Sequence, residues 1–253
     1  MFPYHDENET LRPAVVTVGI IAACVLAWVF VQGAGMPETV AASVCNYGLV
    51  PAELMRALPA GTAFPMGPEM SCVIDPGRDV HHILTSMFLH GSWMHLIGNM
   101  WFLWIFGNNI EDAMTRPRFL LFYLLCGTAA AALQVAAEPA SGIPMVGASG
   151  AISGVMGAYL VLYPRVRVFT LVTLGFFFTT VALPAWVMLL YWGALQLLGG
   201  LSAVAGEGGV AFWAHIGGFV AGVVLIKVFV VPDRVQAHRT SPWRPPARVG
   251  GWQ

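Results

Sequence analysis

Six long apolar stretches are the feature that most constrains how this chain can fold. A helix needs about 20 predominantly apolar residues to cross a lipid bilayer. Of the 253 residues, 57% are hydrophobic and only 10% are charged, against roughly 25% charged in an ordinary soluble domain. The sequence therefore predicts an all-α membrane protein, a bundle of six transmembrane helices at about residues 13–32, 92–110, 117–137, 147–163, 181–201 and 210–231.

These spans divide the chain into three segments. Residues 1–12 form an N-terminal segment whose acidic side chains argue against a removable signal peptide, and residues 13–231 form the membrane domain. The tail, residues 232–253, is rich in Pro and Arg and is predicted to be disordered.

Residues 166–201 are apolar enough for two spans but have only Pro184 as a break. One span preceded by a short re-entrant or strand-like piece is therefore predicted.

Basic residues are distributed unevenly between the two sides of the predicted bundle. With six spans and the amino terminus inside, ten of the twelve Lys and Arg residues are cytoplasmic, and only Arg56 and Arg78 are outside. A seventh span would reverse this asymmetry. Both termini are therefore predicted to be cytoplasmic, with the inner membrane of a bacterial cell as the expected location. A net charge of -1 gives no reason to expect nucleic acid, so membrane lipid and transmembrane proteins are the expected partners.

The outer loop, residues 33–91, is long and rich in Pro and Gly. This composition disfavours long regular elements but allows a short amphipathic helix at about residues 52–58. Cys45 and Cys72 both lie in this loop, where a disulfide between them and two unpaired thiols are both open alternatives. Cys24 and Cys126 lie within predicted spans and are expected to be buried thiols.

Polar side chains inside the spans are the candidates for chemistry, because such groups are costly in a bilayer. Ser149 lies at the outer end of the fourth span and His215 about five residues into the sixth. His95 and Asn99 lie in the first two turns of the second span. The topology places all four at a similar depth near the outer surface. His95 and Asn99, four residues apart, share one helix face and can direct two donors at a developing oxyanion.

The small residues near these positions allow a purely structural interpretation as well. Gly218 and Gly222 are spaced four apart, which is the usual device for close packing of membrane helices. Both interpretations can hold together, because these glycines lie on the face of His215 and close packing would bring it to Ser149. Every Asp and Glu falls outside the span interiors. A Ser-His dyad without a third acid is therefore expected.

Two functions other than acyl transfer by a Ser-His pair stay open at this point. The first is a metal-dependent membrane enzyme, with candidate zinc ligands on the outer side at Asp79, His81, His82, His90 and His95. The second is a catalytically inactive protein that only binds membrane helices.

Four motifs are found between about residues 81 and 222. They are His90-Gly-Ser-Trp-Met-His95-Leu-Ile-Gly-Asn99-Met, Gly107-Asn-Asn-Ile-Glu111, Gly147-Ala-Ser149-Gly150 and Ala214-His215-Ile-Gly-Gly218. In combination they resemble the rhomboid family of intramembrane serine proteases.

The resemblance implies that Ser149 attacks the scissile carbonyl while His215 takes its proton and later returns it to the leaving amine. It also implies an oxyanion site formed by His95, Asn99 and the backbone N–H of Ser149, with no cofactor and no metal. The fifth span and the loop at residues 202–211 would be a lateral gate and a cap.

Structural roles are implied for His90, which would organise the outer loop, and for Glu111, which would tie the inner end of the second span to its neighbours. The remaining structural positions are the glycines Gly150, Gly218 and Gly222.

The chain departs from the family pattern at two places. Many family members have an aromatic residue where this chain has Ser153, so Trp213 or a neighbouring Phe is expected to support His215 instead. His81 and His82 replace a Trp-Arg pair found in some members.

Overall fold

The computed structural model describes residues 2–66, 70–77, 79–174, 177–203 and 211–240. Most of this part of the chain is helical. In chain order the helices are α1 (Val15–Leu26, continued by a π-helical turn, Ala27–Val31), α2 (Pro37–Tyr47), α3 (Pro51–Met55), α4 (His82–Thr85), α5 (Trp93–Asp112), α6 (Arg116–Ala137), α7 (Ser149–Leu162), α8 (Ala185–Ala203), α9 (Phe212–Phe229) and α10 (Pro232–Thr240). The strands are β1 (Phe2–Asp6), β2 (Ala63–Pro65), β3 (Ser71–Val73), β4 (Arg167–Leu174) and β5 (Phe177–Pro184).

A helix is present at each of the six apolar stretches. Three of them, α6, α8 and α9, are long and apolar enough to cross a membrane. Two more, α1 with its π-helical extension and the 14-residue α7, are apolar but shorter. These helices support the predicted membrane location. The count of six crossings stays a prediction, because length and composition identify three.

The central helix of the bundle is α7, in which every residue from Gly150 to Tyr159 is buried. It packs against α5, α6 and α9. Against α9 the two backbones touch, because a Cβ atom on Gly222 would collide with the carbonyl oxygen of Gly154, and one on Gly218 with that of Gly150. In a bilayer such close packing replaces the hydrophobic effect as the force that holds helices together.

The stretch before the fifth predicted span forms a β-hairpin, so the prediction of a strand-like piece is confirmed. β4 and β5 pair antiparallel from Arg167 opposite Pro184 to Leu174 opposite Phe177. β-Branched and aromatic residues, which favour strands, are frequent here. The predicted span began at residue 181, which is wrong, because residues 181–184 complete β5. Pro184 ends the ladder and α8 begins at Ala185.

The N-terminal segment is folded into the bundle. β1 pairs with β4, and the sheet order β1-β4-β5 places the sheet between α5 and α8. The Trp101 indole N–H donates to the carbonyl oxygen of Pro3 at 2.7 Å, and Asp6 is buried where it accepts from the Tyr159 hydroxyl and the Asn109 amide. Strand pairing and these buried hydrogen bonds join residues 2–6 to the membrane domain.

The start of the C-terminal tail is helical, contrary to the prediction of disorder. α10 begins with Pro232, whose fixed φ suits the first helical position, and Asp233 in its first turn complements the helix dipole. The guanidinium of Arg234 donates to the carbonyl oxygen of Met114, just after α5 ends. These contacts order a segment whose composition alone suggests a flexible chain. Residues 241–253 lie outside the described part.

The outer loop contains more regular structure than its composition predicts. α2 has 11 residues, because Pro37 begins it and a disulfide between Cys45 and Cys72 ties its last turn to β3. The short helix predicted at residues 52–58 is α3. It ends at Met55, since Arg56 adopts a left-handed conformation with φ of 53°.

Glu111 caps α1 from the C-terminal end of α5. Its carboxylate accepts hydrogen bonds from the backbone N–H groups of Val16 and Thr17 and from the Thr17 hydroxyl, all at 2.8–2.9 Å. Glu111→Gln should lower the free energy of unfolding by about 1–3 kcal/mol, because an amide offers one acceptor oxygen and no charge to these donors. Thermal unfolding in detergent measures the change. The same substitution at the exposed Glu38 should have little effect, and equal losses would contradict this role.

Candidate active site

Ser149 and His215 are in direct contact. Ser149 is the first residue of α7 and His215 lies in the first turn of α9, so the close packing of Gly150 against Gly218 brings them together. The distance between Nε2 of His215 and Oγ of Ser149 is 2.8 Å. A hydroxyl within hydrogen-bond reach of an imidazole nitrogen is the geometry of an activated nucleophile and its base. The structure therefore joins the two residues that the sequence singles out.

The other ring nitrogen of His215 has a partner that was not predicted from the sequence. Nδ1 lies 2.7 Å from Oε1 of Gln196, on α8. Among the residues of the apolar α8, this amide is one of the few polar groups, and polarity inside a span is the signal that could have identified it. His215 is therefore held between α7 and α8.

The aromatic support of His215 also comes from α8. The ring of Trp192 lies against the imidazole, with centroids 5.9 Å apart. The prediction that Trp213 or a neighbouring Phe occupies this position is wrong, because the rotation of α8 directs Trp192 and Gln196 to the same side. The Ser153 hydroxyl donates to the carbonyl oxygen of Ser149 at 2.6 Å and so belongs to the α7 backbone ladder.

The ring of His95 lies beside Gly147, two residues before the nucleophile. The hydroxyl of Ser92 caps α5 and places His95 in its first turn, where Nδ1 accepts the Gly91 N–H at 3.3 Å. A neutral ring with that acceptor carries its proton on Nε2. A Cβ atom on Gly147 would lie 2.7 Å from this Nε2 and 3.6 Å from Oγ of Ser149. Gly147, with φ of 125°, therefore allows His95 to approach Ser149.

Asn99 supplies a second donor one turn along α5. Its side chain is 7% exposed, and its Nδ2 has no hydrogen-bond partner among the described residues. Backbone N–H groups in the first turn of a helix also lack intrahelical acceptors, and Ser149 occupies that position in α7. The site thus contains side-chain and backbone N–H groups that can donate to an oxyanion.

Two further glutamines hydrogen-bond to the backbone of residues around the site. The Gln32 amide clamps the backbone of His90, accepting its N–H at 2.8 Å and donating to its carbonyl oxygen at 2.7 Å. The Gln134 side chain accepts the Ala214 N–H, next to His215, at 3.2 Å. The resemblance implied an outer-loop role for His90, whereas neither glutamine was predicted, although both are polar groups in apolar stretches.

A cavity of about 920 Å³ opens beside these residues. Ser149, His215, His95 and Asn99 all line it, and it extends to α2 of the outer loop. Much of its remaining lining is apolar. A cavity of this size accommodates several side chains of an extended polypeptide.

A metal centre finds no support in the described part of the chain. No group of three or more His, Cys, Asp or Glu residues there is arranged to hold an ion. The rings of His81 and His82 contact each other, as do those of His90 and His95, but these pairs do not combine into a ligand set.

Residues 204–210, most of the predicted cap, lie outside the described residues.

Comparison with known protein families gives a direct assignment. The model of the rhomboid domain matches residues 77–232, which is more than half of the chain. The chain belongs to the rhomboid family. Together with the apolar α6, α8 and α9, this membership makes the rhomboid an integral membrane protein.

The rhomboid is similar to proteins from distant organisms. It is 30% identical to Rhomboid-like protease 5 of Toxoplasma gondii over 58% of this chain and 16% of the relative. The identity to chloroplastic Rhomboid-like protein 11 of Arabidopsis thaliana is 29%, over 58% of this chain and 51% of the relative. Mitochondrial presenilin-associated rhomboid-like protein of Bos taurus matches at 33% identity over 34% of this chain and 23% of the relative. The chain thus spans about half or less of each relative.

If the site cleaves peptides, Asn99→Ala should lower kcat by about 10²- to 10³-fold and change KM little, because a donor to an oxyanion acts on the transition state. The variant should unfold at the wild-type temperature, since Nδ2 has no protein partner to lose. Steady-state kinetics on a membrane-anchored peptide measures the effect, with Asn46→Ala, exposed on α2, as the matched control. An equal loss of kcat in both variants would remove Asn99 from the oxyanion site.

Proposed function

We propose that this rhomboid is an intramembrane serine endopeptidase that hydrolyses peptide bonds in or near transmembrane segments. The observation that carries the proposal is the 2.8 Å contact between Oγ of Ser149 and Nε2 of His215 within a membrane bundle. The name of the Toxoplasma gondii relative, a rhomboid-like protease, supports the same activity.

The contacts support a two-step acyl transfer. Oγ of Ser149 attacks the scissile carbonyl carbon as His215 takes the hydroxyl proton on Nε2, and the carbonyl oxygen becomes an oxyanion. His95, Asn99 and the Ser149 N–H stabilise this charge. The tetrahedral intermediate collapses as His215 protonates the leaving amine, leaving an acyl-serine. A water molecule, deprotonated by His215, then hydrolyses the ester and restores the Ser149 hydroxyl.

The proposed substrates are single transmembrane segments that unwind readily. An intact helix hides its carbonyl groups in its own hydrogen bonds, so the scissile peptide must leave the helix before Ser149 can reach it. Small or helix-breaking residues make that step easier. The cavity beside the dyad, lined by apolar side chains and a few polar ones, is suited to such an extended segment.

The proposed topology has six crossings of residues 13–231, with both termini on the cytoplasmic side and the site opening outward. The contacts of Arg12, Arg167 and Arg234 near the ends of α5, α7 and β4 support one basic, cytoplasmic face. The bacterial inner membrane stays a prediction, because the relatives include mitochondrial and chloroplastic proteins.

Labelling with a fluorophosphonate probe tests the proposed nucleophile. The probe should attach to Ser149 of the folded protein in detergent, as identified by peptide mass spectrometry. Labelling should be absent in Ser149→Ala and far slower in His215→Ala, because the base is needed to activate the hydroxyl. An inactive protein that only binds membrane helices would leave Ser149 unlabelled, and that result would overturn the proposal.

A further inference from the structure

The environment of His215 includes one hydrogen bond that the dyad mechanism does not use. Nδ1 of His215, the nitrogen facing away from Ser149, lies 2.7 Å from Oε1 of Gln196. Gln196 is half-buried on α8, a helix separate from those that carry the nucleophile and the base. The contact therefore depends on where α8 lies.

The chemistry of the imidazole gives this contact a role. A neutral ring carries one proton, and a general base must present an unprotonated Nε2 to the hydroxyl of Ser149. An acceptor at Nδ1 favours the tautomer with the proton on Nδ1. When Nε2 takes the serine proton, the ring becomes an imidazolium with two donors, and Oε1 of Gln196 continues to accept from Nδ1–H. The amide oxygen thus favours the active tautomer and the charged ring.

An amide also suits the location better than a carboxylate. A charged side chain within a bilayer is costly, whereas a glutamine supplies an oriented dipole without net charge. Among the residues that the structure describes, two other titratable side chains line the cavity with His215. They are His95 of α5 and Glu138 at the end of α6. Neither is a hydrogen-bond partner of Nδ1, which leaves Gln196 as its acceptor.

The contact between Gln196 and His215 depends on the position of α8 relative to α9. Trp192 and Gln196 are four residues apart, hence on one helix face, and both contact His215. The leucines at positions 195, 197 and 198 are exposed on other faces, each between 45% and 61%. If α8 moved away from α9, His215 would lose its acceptor and its aromatic neighbour together.

We propose that Gln196 is a positioning residue for His215, so that the dyad is competent only while α8 is seated against α9. This inference rests on the proposed peptidase function. It adds a third group, carried by a different helix, to a pair that the sequence identifies as a dyad. Gln196 acts through the base and does not touch the substrate.

The pH dependence of kcat provides the kinetic test, with purified full-length protein and a transmembrane test substrate. Gln196→Leu should lower kcat about 10- to 100-fold, because a hydrogen bond to a charged group is lost in the transition state. It should also move the acidic limb of the profile to lower pH, since the imidazolium loses its acceptor. Gln196→Glu keeps an acceptor oxygen, so it should retain more activity and move the acidic limb to higher pH.

Leu197→Ala, at the next and exposed position of α8, is the control for general damage to the helix. It should leave kcat and the profile unchanged. Shifts in opposite directions for the two Gln196 variants support the inference, because a merely structural role would not produce them. A wild-type profile in Gln196→Leu, or equal losses in Gln196→Leu and Leu197→Ala, would overturn it while leaving the requirement for Ser149 intact.

A spectroscopic measurement tests the inference without any cleavage. In protein labelled with ¹⁵N-histidine, the His215 signals are identified by their absence in His215→Ala. They should show the proton on Nδ1 in the wild type and a shift of the tautomer equilibrium toward Nε2 in Gln196→Leu. Identical spectra would overturn the role of Gln196. A protein that fails to cleave and yet shows this shift would refute the proposed function alone.

Discussion

A Ser149→Ala variant should lose peptide cleavage by about 10⁴-fold or more. The expected loss is this large because the hydroxyl oxygen is the atom that forms the acyl intermediate, and no other described side chain is hydrogen-bonded to Nε2 of His215. The variant should fold normally, since alanine fills the first position of α7 without strain. Initial rates on a transmembrane substrate, with melting temperatures beside them, measure both effects.

Ser153→Ala is the matched control for that experiment. Ser153 lies one turn further along α7, is fully buried, and donates to the carbonyl oxygen of Ser149 rather than to His215. Its loss should leave most of the activity. A Ser149→Ala enzyme as active as Ser153→Ala would show that cleavage, if present, uses another nucleophile.

Gly222→Ala should lower the free energy of unfolding by about 3 kcal/mol or more, or prevent folding. The added Cβ atom would collide with the carbonyl oxygen of Gly154, a backbone atom within a central helix. Relief requires α7 and α9 to move apart, which would also separate Ser149 from His215. Activity should therefore fall together with stability, as measured by unfolding in detergent and by cleavage below the melting temperature.

Gly19→Ala makes the same chemical change where there is room for it. A Cβ atom on Gly19 of α1 would meet no atom within 4 Å. This variant should retain wild-type stability and activity. If Gly222→Ala were equally harmless, the close contact between α7 and α9 would not be the device that assembles the dyad.

The convergence of the site on one level was predictable because depth in a bilayer follows from position within a span. Ser149, His95 and His215 lie in the first turns of their helices, and small residues at the helical period indicated which faces meet. The sequence therefore predicted that Ser149 and His215 meet, and the apolar stretches predicted the helices that carry them.

Contacts that depend on helix rotation or on distant strand pairing were not predictable in the same way. Gln196 meets His215 only because α8 presents that face, and nothing local in the sequence determines its rotation. β1 pairs with β4, more than 160 residues away, so its strand conformation depends on a partner that local pattern cannot reveal. The bond between Cys45 and Cys72 likewise required the position of α2 against β3.

Product analysis after reconstitution into lipid vesicles tests the central claim most directly. The measurement is the mass of both fragments of a substrate with one transmembrane segment, incubated with the wild type and with Ser149→Ala. The account predicts one main cut, within or beside the membrane segment and near its outer end, with no product from the variant. Cleavage confined to the soluble parts of the substrate, or the same fragments from Ser149→Ala, would contradict it.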